Sequence, residues 1–92
     1  MFVLGAQLRR AAVSVPANIA EGQGRRTTRD FLRFLSIASG SLKELETHVL
    51  IAERLCYICH PTASEGTRLA AEVGRLTNGL IRSLQTTHPK RD

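Results

Sequence analysis

The chain has 92 residues, enough for one domain that buries only about 60–65% of its unfolded surface. Its apolar content is mostly Leu, Ala, Ile and Val with no tryptophan, which suits helices packed on helices, and its net charge of +5 favours a polyanion or an acidic protein as partner. No run approaches the roughly 20 apolar residues of a membrane span, and the beginning MFVLG lacks the basic region of a signal peptide. We therefore expect a soluble cytoplasmic protein, without membrane contact, whose two cysteines are thiols.

The first predicted helix covers residues 2–21. The apolar residues of one face recur three or four positions apart: Leu4, Leu8, Ala11, Ala12, Val15 and Ile19. Pro16 lies inside this helix, where a proline removes a backbone hydrogen bond and costs about 3 kcal/mol. The sequence therefore predicts either an end at Val15 or a kink at Pro16, with Gly22 and Gly24 as stop signals.

The second predicted helix runs from about residue 28 to residue 55, with Thr27 or Thr28 as its cap and Asp30 in its first turn. A nearly unbroken heptad seam follows it: Phe31, Leu35, Ala38, Leu42, Leu45, Val49, Ala52 and Cys56. A second apolar stripe lies on another side: Phe34, Ile37, Ile51 and Leu55. Gly40, in mid-helix at a cost of about 1 kcal/mol, indicates close approach by a neighbouring backbone.

The third predicted helix covers residues 64–84, after a break at His60 and Pro61. Its core stripe is Leu69, Val73, Leu76, Leu80 and Leu84. The second helix should be about 42 Å long and the others about 30 Å, so two shorter helices cannot cover both apolar sides of the longer one. We therefore predict a homo-oligomer; the alternative is that the second stripe packs inside a three-helix bundle.

The best functional candidate is a basic cluster near the start of the chain. Its six arginines are Arg9, Arg10, Arg25, Arg26, Arg29 and Arg33. Arginine binds phosphate or carboxylate through two parallel hydrogen bonds, and N–H groups at a helix start also favour anions. We predict phosphate contacts without base specificity, because no groove-reading motif accompanies the arginines. The alternatives are a solvated surface with internal pairs, such as Arg10 with Glu44 or Glu21, and a coding bias toward arginine.

Two weaker patterns suggest other chemistry. The run Cys56-Tyr57-Ile58-Cys59-His60 matches the attachment motif of c-type haem, but an expected cytoplasmic location and a near-absence of methionine argue against haem. The predicted position at a helix C-terminus disfavours a redox-active thiolate, and a zinc site would lack a clear fourth ligand. Glu44 and His48 form an i,i+4 pair without a nucleophile. We therefore expect no catalytic site, no cofactor and no metal.

Three segments carry a family resemblance: QLRRAAVSVPANIAEGQGR, FLRFLSIASGSLKELETHVLIAERL and LTNGLIRSL. Together they cover about residues 5–85, and SVPANIAEG and GSLKELETH are specific. They resemble the four-helix bundle family of 23S rRNA-intervening-sequence proteins, whose relatives include the accessory protein of diversity-generating retroelements. The resemblance implies an antiparallel four-helix bundle assembled as a homopentamer. In the retroelement relative it implies a basic barrel that binds the reverse transcriptase and nucleic acid.

The chain departs from the family pattern at two places. The pattern has a helix upstream of QLRRA, so we expect the first family helix to be largely missing here. Family members usually have glycine where this chain has Cys56. On the resemblance, Pro16 kinks a continuous helix, and Asn18, Glu21 and Glu44 are structural partners that satisfy the freed backbone or an arginine.

The sequence thus predicts a single all-α domain over residues 1–92, an antiparallel bundle of the four-helix type. The chain should self-associate and present its arginine-rich face to RNA or DNA, without enzymatic activity. The alternative is a protein-interaction scaffold, such as an accessory subunit of a reverse transcriptase.

Overall fold

The structure, a computed structural model, describes residues 2–87 and the side chains of residues 4–86. Within this range the chain is helical, without strands: α1 is Phe2–Gln23, α2 is Thr28–Arg54 and α3 is His60–Thr87. No helix among the described residues is long and apolar enough to cross a membrane.

The central helix is α2, on which the other two pack. Val15, Ala38, Leu42 and Ala70, one or two residues from each helix, form the buried cluster at its middle. Ser14 Oγ of α1 lies 2.7 Å from Ser41 Oγ of α2, an ordinary hydrogen bond between hydroxyl groups. The predicted heptad seam of α2 therefore faces the core along most of its length.

The expected four-helix bundle is wrong, because the described chain has three helices. Within residues 2–87, α1 and α3 each contact α2 but not each other. Between them lies an open depression, here called the apolar groove, with a volume of about 480 Å³. It is lined by Pro16 and Ile19 of α1, Leu45 and Val49 of α2, and Leu69 and Val73 of α3, among others. Residues 2–87 thus leave one side of the three-helix layer uncovered.

The first helix continues through Pro16 to Gln23, which excludes an end at Val15. A proline at this position leaves the carbonyl of Ala12 without its helical donor, since the proline nitrogen carries no hydrogen. Asn18 Nδ2 donates to the carbonyl oxygen of Ser14 at 2.8 Å and to Ser14 Oγ at 2.9 Å. Asn18 thus supports the turn around the proline but does not replace the bond that Pro16 removes.

The second helix begins as its sequence predicts and ends differently. Thr27 is its N-cap, and Thr27 Oγ1 accepts a hydrogen bond from the backbone N–H of Asp30 at 3.1 Å. At the other end Cys56 has φ of 62°, in the left-handed region, and the Tyr57 N–H donates to the Ala52 carbonyl at 2.8 Å. This is the Schellman arrangement of a helix end. Cys56 is exposed there, so its predicted place in the buried seam is wrong.

The third helix begins at His60, four residues earlier than expected. Pro61 is tolerated because the first turn of a helix leaves N–H groups without carbonyl partners in any case. The Ala63 N–H donates to the Cys59 carbonyl at 3.0 Å, which starts the helical bonding. His60 Nδ1 lies 2.6 Å from Glu53 Oε2, so the start of α3 is also tied to the end of α2.

Two glycines have roles other than those predicted. Gly22 lies inside α1 rather than stopping it, and neither it nor any other glycine of the described chain has positive φ. A Cβ added at Gly40 would meet nothing within 4 Å, so the described chain makes no close approach there.

Candidate nucleic-acid interface

The connection between α1 and α2 brings four of the six predicted arginines together. Residues 24–27 form a tight turn, in which the Arg25 N–H donates to the Gly22 carbonyl at 3.1 Å. The first turns of α2 follow directly. This segment carries a group that we call the arginine turn: Arg25, Arg26, Arg29 and Arg33. Its counter-charges along the chain are Glu21 and Asp30, which leaves an excess of two positive charges.

The aromatic ring of Phe34 lies against two guanidinium groups of the arginine turn. The guanidinium carbon of Arg25 lies 4.9 Å from the centroid of the Phe34 ring, and that of Arg33 lies 4.6 Å from it. Cations attract the negative face of an aromatic ring, and the interaction contributes about 0.5–1 kcal/mol at exposed sites. Arg25 Nη2 also lies 2.6 Å from Glu21 Oε2. The two guanidinium groups are therefore oriented before any ligand binds.

The close packing of α1 on α2 sets the position of this ring. A Cβ added at Gly22 would lie 2.8 Å from Phe34 Cβ and 2.9 Å from Phe31 Cδ1, closer than real side chains approach. The absence of a side chain at Gly22 thus lets the end of α1 lie directly on α2 beside the arginine turn. Neither Gly22 nor Phe34 was among the predicted site residues. The available signal was Phe34 directly after Arg33 in the sequence.

The remaining two predicted arginines lie elsewhere. Arg9 and Arg10 lie on α1, about 13 residues before its end at Gln23, which is roughly 20 Å along the helix at 1.5 Å per residue. Arg10 lines a small depression with Gln7 and Glu44, among others. The predicted six-arginine face therefore divides into the arginine turn and a separate pair.

The three predicted structural polar residues, Asn18, Glu21 and Glu44, differ in the contacts that they make. Asn18 bonds to Ser14, and Glu21 pairs with Arg25. Glu44 Oε2 lies 3.6 Å from His48 Nε2, too far for a hydrogen bond. Both ring nitrogens of His48 are buried without a hydrogen-bond partner, although the side chain retains 13% exposure. Glu44 and His48 are therefore neighbours on α2 without a hydrogen bond between them.

Cys56 and Cys59 do not both lie at the C-terminus of a helix, as the sequence predicted. Cys59 lies directly before α3, at a helix N-terminus, so the argument from a helix C-terminus applies to Cys56 alone. Cys59 Sγ lies 3.1 Å from Thr62 Oγ1, and this hydrogen bond lowers the pKa of the Cys59 thiol. Both cysteines are free and exposed. Among the described residues, no group of three or more His, Cys, Asp or Glu side chains lies close enough to hold a metal ion.

Comparison with known proteins gives a family and a structural relative. The family model described as 23S rRNA-intervening sequence protein matches residues 1–79. A crystal structure from Bacteroides thetaiotaomicron, of a protein with unknown function from the S23 ribosomal protein family, is similar with a TM-score of 0.86 and 27% sequence identity. The similarity covers 88% of this chain and 75% of that one. No curated protein matches the sequence.

Proposed function

Because the chain belongs to the family of 23S rRNA-intervening sequence proteins, we propose that it binds RNA or DNA as a self-associating, non-enzymatic protein of the cytoplasm. The arginine turn is the main contact with nucleic acid. Arg9 and Arg10 supply further phosphate contacts about 20 Å away, farther along the same strand or on a neighbouring copy.

The observation that supports this proposal is the pair of guanidinium groups on Phe34. An arginine that is already oriented loses less side-chain entropy when it binds phosphate, so more of the interaction energy remains for affinity. The adjacent start of α2 adds the positive end of a helix dipole. Both features favour phosphate, and neither distinguishes one base from another.

The family description supports RNA as the first ligand to test. It names 23S rRNA, which gives a fragment of that RNA as a probe. A DNA duplex and a single-stranded DNA of the same length serve as comparison ligands. Binding by backbone charge alone should give similar affinities for different sequences and a strong dependence on salt.

Charge-neutral variants test the assigned face. We expect Arg25→Gln, Arg26→Gln and Arg29→Gln together to weaken RNA binding and to lower the slope of log affinity against log salt by about 2, since each lost phosphate contact removes about 0.7–0.9. The matched control is Arg68→Gln, Arg75→Gln and Arg82→Gln on α3, which removes the same charge elsewhere. Equal slopes for the two triple variants would reject the arginine turn as the site. Gel shifts at several salt concentrations provide the measurement.

Self-association is supported by apolar side chains that the described chain leaves exposed, among them Ile37, Leu50, Leu55 and Leu76. The family resemblance implies five copies, and light scattering measures the number directly.

A scaffold for a reverse transcriptase is the competing function. Tight capture of such an enzyme, insensitive to salt and unaffected by the triple arginine variant, would favour it over nucleic-acid binding.

A further inference from the structure

The connection between α2 and α3 carries both cysteines of the chain, Cys56 and Cys59. Both are free thiols exposed to solvent, so a thiol reagent reaches them without a change in the fold. The spacing C-x-x-C is typical of thiol pairs that interconvert between the dithiol and the disulfide. The proposed nucleic-acid binding uses neither cysteine, which leaves this pair without an assigned role.

Cys59 occupies the N-cap position of α3. The Ala63 N–H donates to the Cys59 carbonyl oxygen at 3.0 Å, which is the first bond of the helix. The Cys59 sulfur lies 3.1 Å from Thr62 Oγ1, on the third residue of α3. An N-cap side chain ordinarily accepts from the N–H of the second or third residue, and Pro61, the second residue, has no N–H. The Cys59 sulfur therefore takes the place of the oxygen that caps most helices.

The cap of α3 favours the thiolate form of Cys59. The Thr62 hydroxyl and, second, the Thr62 backbone N–H lower the pKa of the Cys59 thiol. The positive end of the α3 dipole lies at the same place and also favours an anion. Cys56 follows the C-terminus of α2, where a helix dipole favours cations instead. Because the thiolate is the nucleophile in disulfide chemistry, Cys59 is the attacking thiol of the pair.

The chain folds back on itself around the two cysteines. The Tyr57 N–H donates to the Ala52 carbonyl at 2.8 Å, and His60 Nδ1 lies 2.6 Å from Glu53 Oε2. These contacts join residues that follow Cys56 to residues that precede it, so the segment is a turn and not an extended chain. Cα atoms three residues apart in a turn come within about 7 Å, and a disulfide requires roughly 4.4–6.8 Å. The spacing of the two cysteines is therefore compatible with a disulfide.

We propose that Cys56 and Cys59 form a reversible dithiol–disulfide pair that reacts with low-molecular-weight disulfides such as glutathione disulfide. The Cys59 thiolate attacks one sulfur of the reagent, whose S–S bond breaks, and the other half leaves as a thiolate that takes up a proton. Cys56 then loses its proton and attacks Cys59 Sγ, which forms the intrachain disulfide and releases the second half of the reagent. Two protein thiols are oxidised, and one reagent disulfide is reduced to two thiols.

Oxidation of the pair removes the cap of α3. A disulfide sulfur carries no charge, so Thr62 loses the thiolate that its hydroxyl and N–H stabilise. A dithiol stabilised in this way gives a disulfide that is easily reduced, as in thiol pairs that respond to oxidants in a reducing compartment. The pair lies at the opposite end of α2 from the arginine turn, about 40 Å along a helix of 27 residues. The inference is therefore independent of the proposed nucleic-acid binding.

Thiol exchange with glutathione disulfide tests the pair. We expect the folded, freshly reduced parent chain to lose both free thiols, to carry no glutathione and to run as a single chain on a non-reducing gel. Its mass should fall by two hydrogen atoms, and an excess of reduced glutathione should restore it. A lasting glutathione adduct, chains joined by disulfides, or two thiols that stay reduced in a large excess of the reagent would each overturn the proposal.

Single-cysteine variants test which thiol attacks. Cys56→Ser leaves Cys59 alone, and Cys59→Ser leaves Cys56 alone with a serine that still caps α3. We expect Cys56→Ser to form its mixed disulfide with glutathione several-fold faster than Cys59→Ser, and both to keep the adduct because the second thiol is absent. Circular dichroism verifies that both variants remain helical. Equal rates, or a faster reaction of Cys59→Ser, overturn the assignment of Cys59 as the attacking thiol.

A change at Thr62 tests the contribution of the cap. In a chain with Cys56→Ser, we expect Thr62→Val to slow the reaction of Cys59 several-fold at neutral pH and to move its pH profile toward alkaline pH, because the larger stabilising bond to the thiolate is lost. Thr67→Val, the same change at an exposed position of α3, is the matched control and should leave the profile unchanged. Three charged or titratable residues of the connection are present in both variants: Glu53, Arg54 and His60. An unchanged profile in Thr62→Val overturns the role of the cap.

Discussion

At the scale of the residue, Cys56 is the clearest point of local strain. It ends α2 with φ of 62°, which a residue with a Cβ adopts at a cost of about 1 kcal/mol. We expect Cys56→Gly to raise the free energy of unfolding by about 0.5–1 kcal/mol, measured by urea denaturation at fixed protein concentration. Cys56→Ala removes the thiol but keeps the Cβ, and should leave stability nearly unchanged. Equal stabilities for the glycine and alanine variants would contradict the explanation.

The cysteine segment also shows why a residue pattern alone is a weak guide to local structure. The seam that includes Leu42 and Ala52 continues to Cys56 by spacing, yet α2 ends at Arg54, two residues before Cys56. The spacing of apolar residues assumes a continuous helix and does not indicate where a residue with positive φ ends it. The early start of α3, at His60, places Cys59 at a helix N-terminus instead of the expected helix C-terminus, and there the hydrogen bond to Thr62 lowers the pKa of the Cys59 thiol.

At the scale of the element, the approach of α1 to α2 depends on Gly22. An added methyl group would overlap Phe31 and Phe34, and one of its contacts is the Phe31 carbonyl oxygen, which cannot rotate away. We expect Gly22→Ala to lower the free energy of unfolding by about 1–3 kcal/mol and to weaken RNA binding, because the helices separate beside the arginine turn.

A glycine in open space provides the control for Gly22→Ala. A Cβ at Gly79 of α3 would meet nothing within 4 Å, so Gly79→Ala should stabilise the helix by up to about 1 kcal/mol. Urea denaturation and gel shifts on both variants provide the measurements. If Gly22→Ala unfolds at the same urea concentration as the parent, close packing there does not set the helix positions.

The helices themselves were largely predictable, and their assembly was not. Apolar periodicity and the Thr27 cap located all three segments, because these signals are local. The number of helices in the bundle was taken from the family resemblance and was wrong for this chain. The arginine turn was accessible from composition, but its contact with Phe34 and its separation from Arg9 depend on how α1 packs against α2, which no local signal records.

At the scale of the whole molecule, the chain is a single layer of helices with a small interior. Five of the eight buried hydrophobic residues among those described are alanines, and only Val15, Leu35 and Leu42 are larger. Burial of an alanine methyl contributes little, since the hydrophobic effect scales with apolar area at about 25 cal/mol per Å². Most domains stack two layers around one core, which this layer lacks on the side of the apolar groove. Stability should therefore depend on association.

The thermal midpoint should consequently rise with protein concentration. For a dimer that unfolds to separate chains, a tenfold increase in concentration adds about 1.4 kcal/mol per dimer, which corresponds to a few degrees for chains of this size. Leu76→Glu should lower the midpoint and weaken its dependence on concentration, because Leu76 is one of the exposed apolar side chains that support self-association. Thermal denaturation followed by circular dichroism over a hundredfold range of concentration measures it. A parent midpoint that stays constant over this range means that one copy is stable by itself, and the exposed leucines of α3 then contribute nothing to folding.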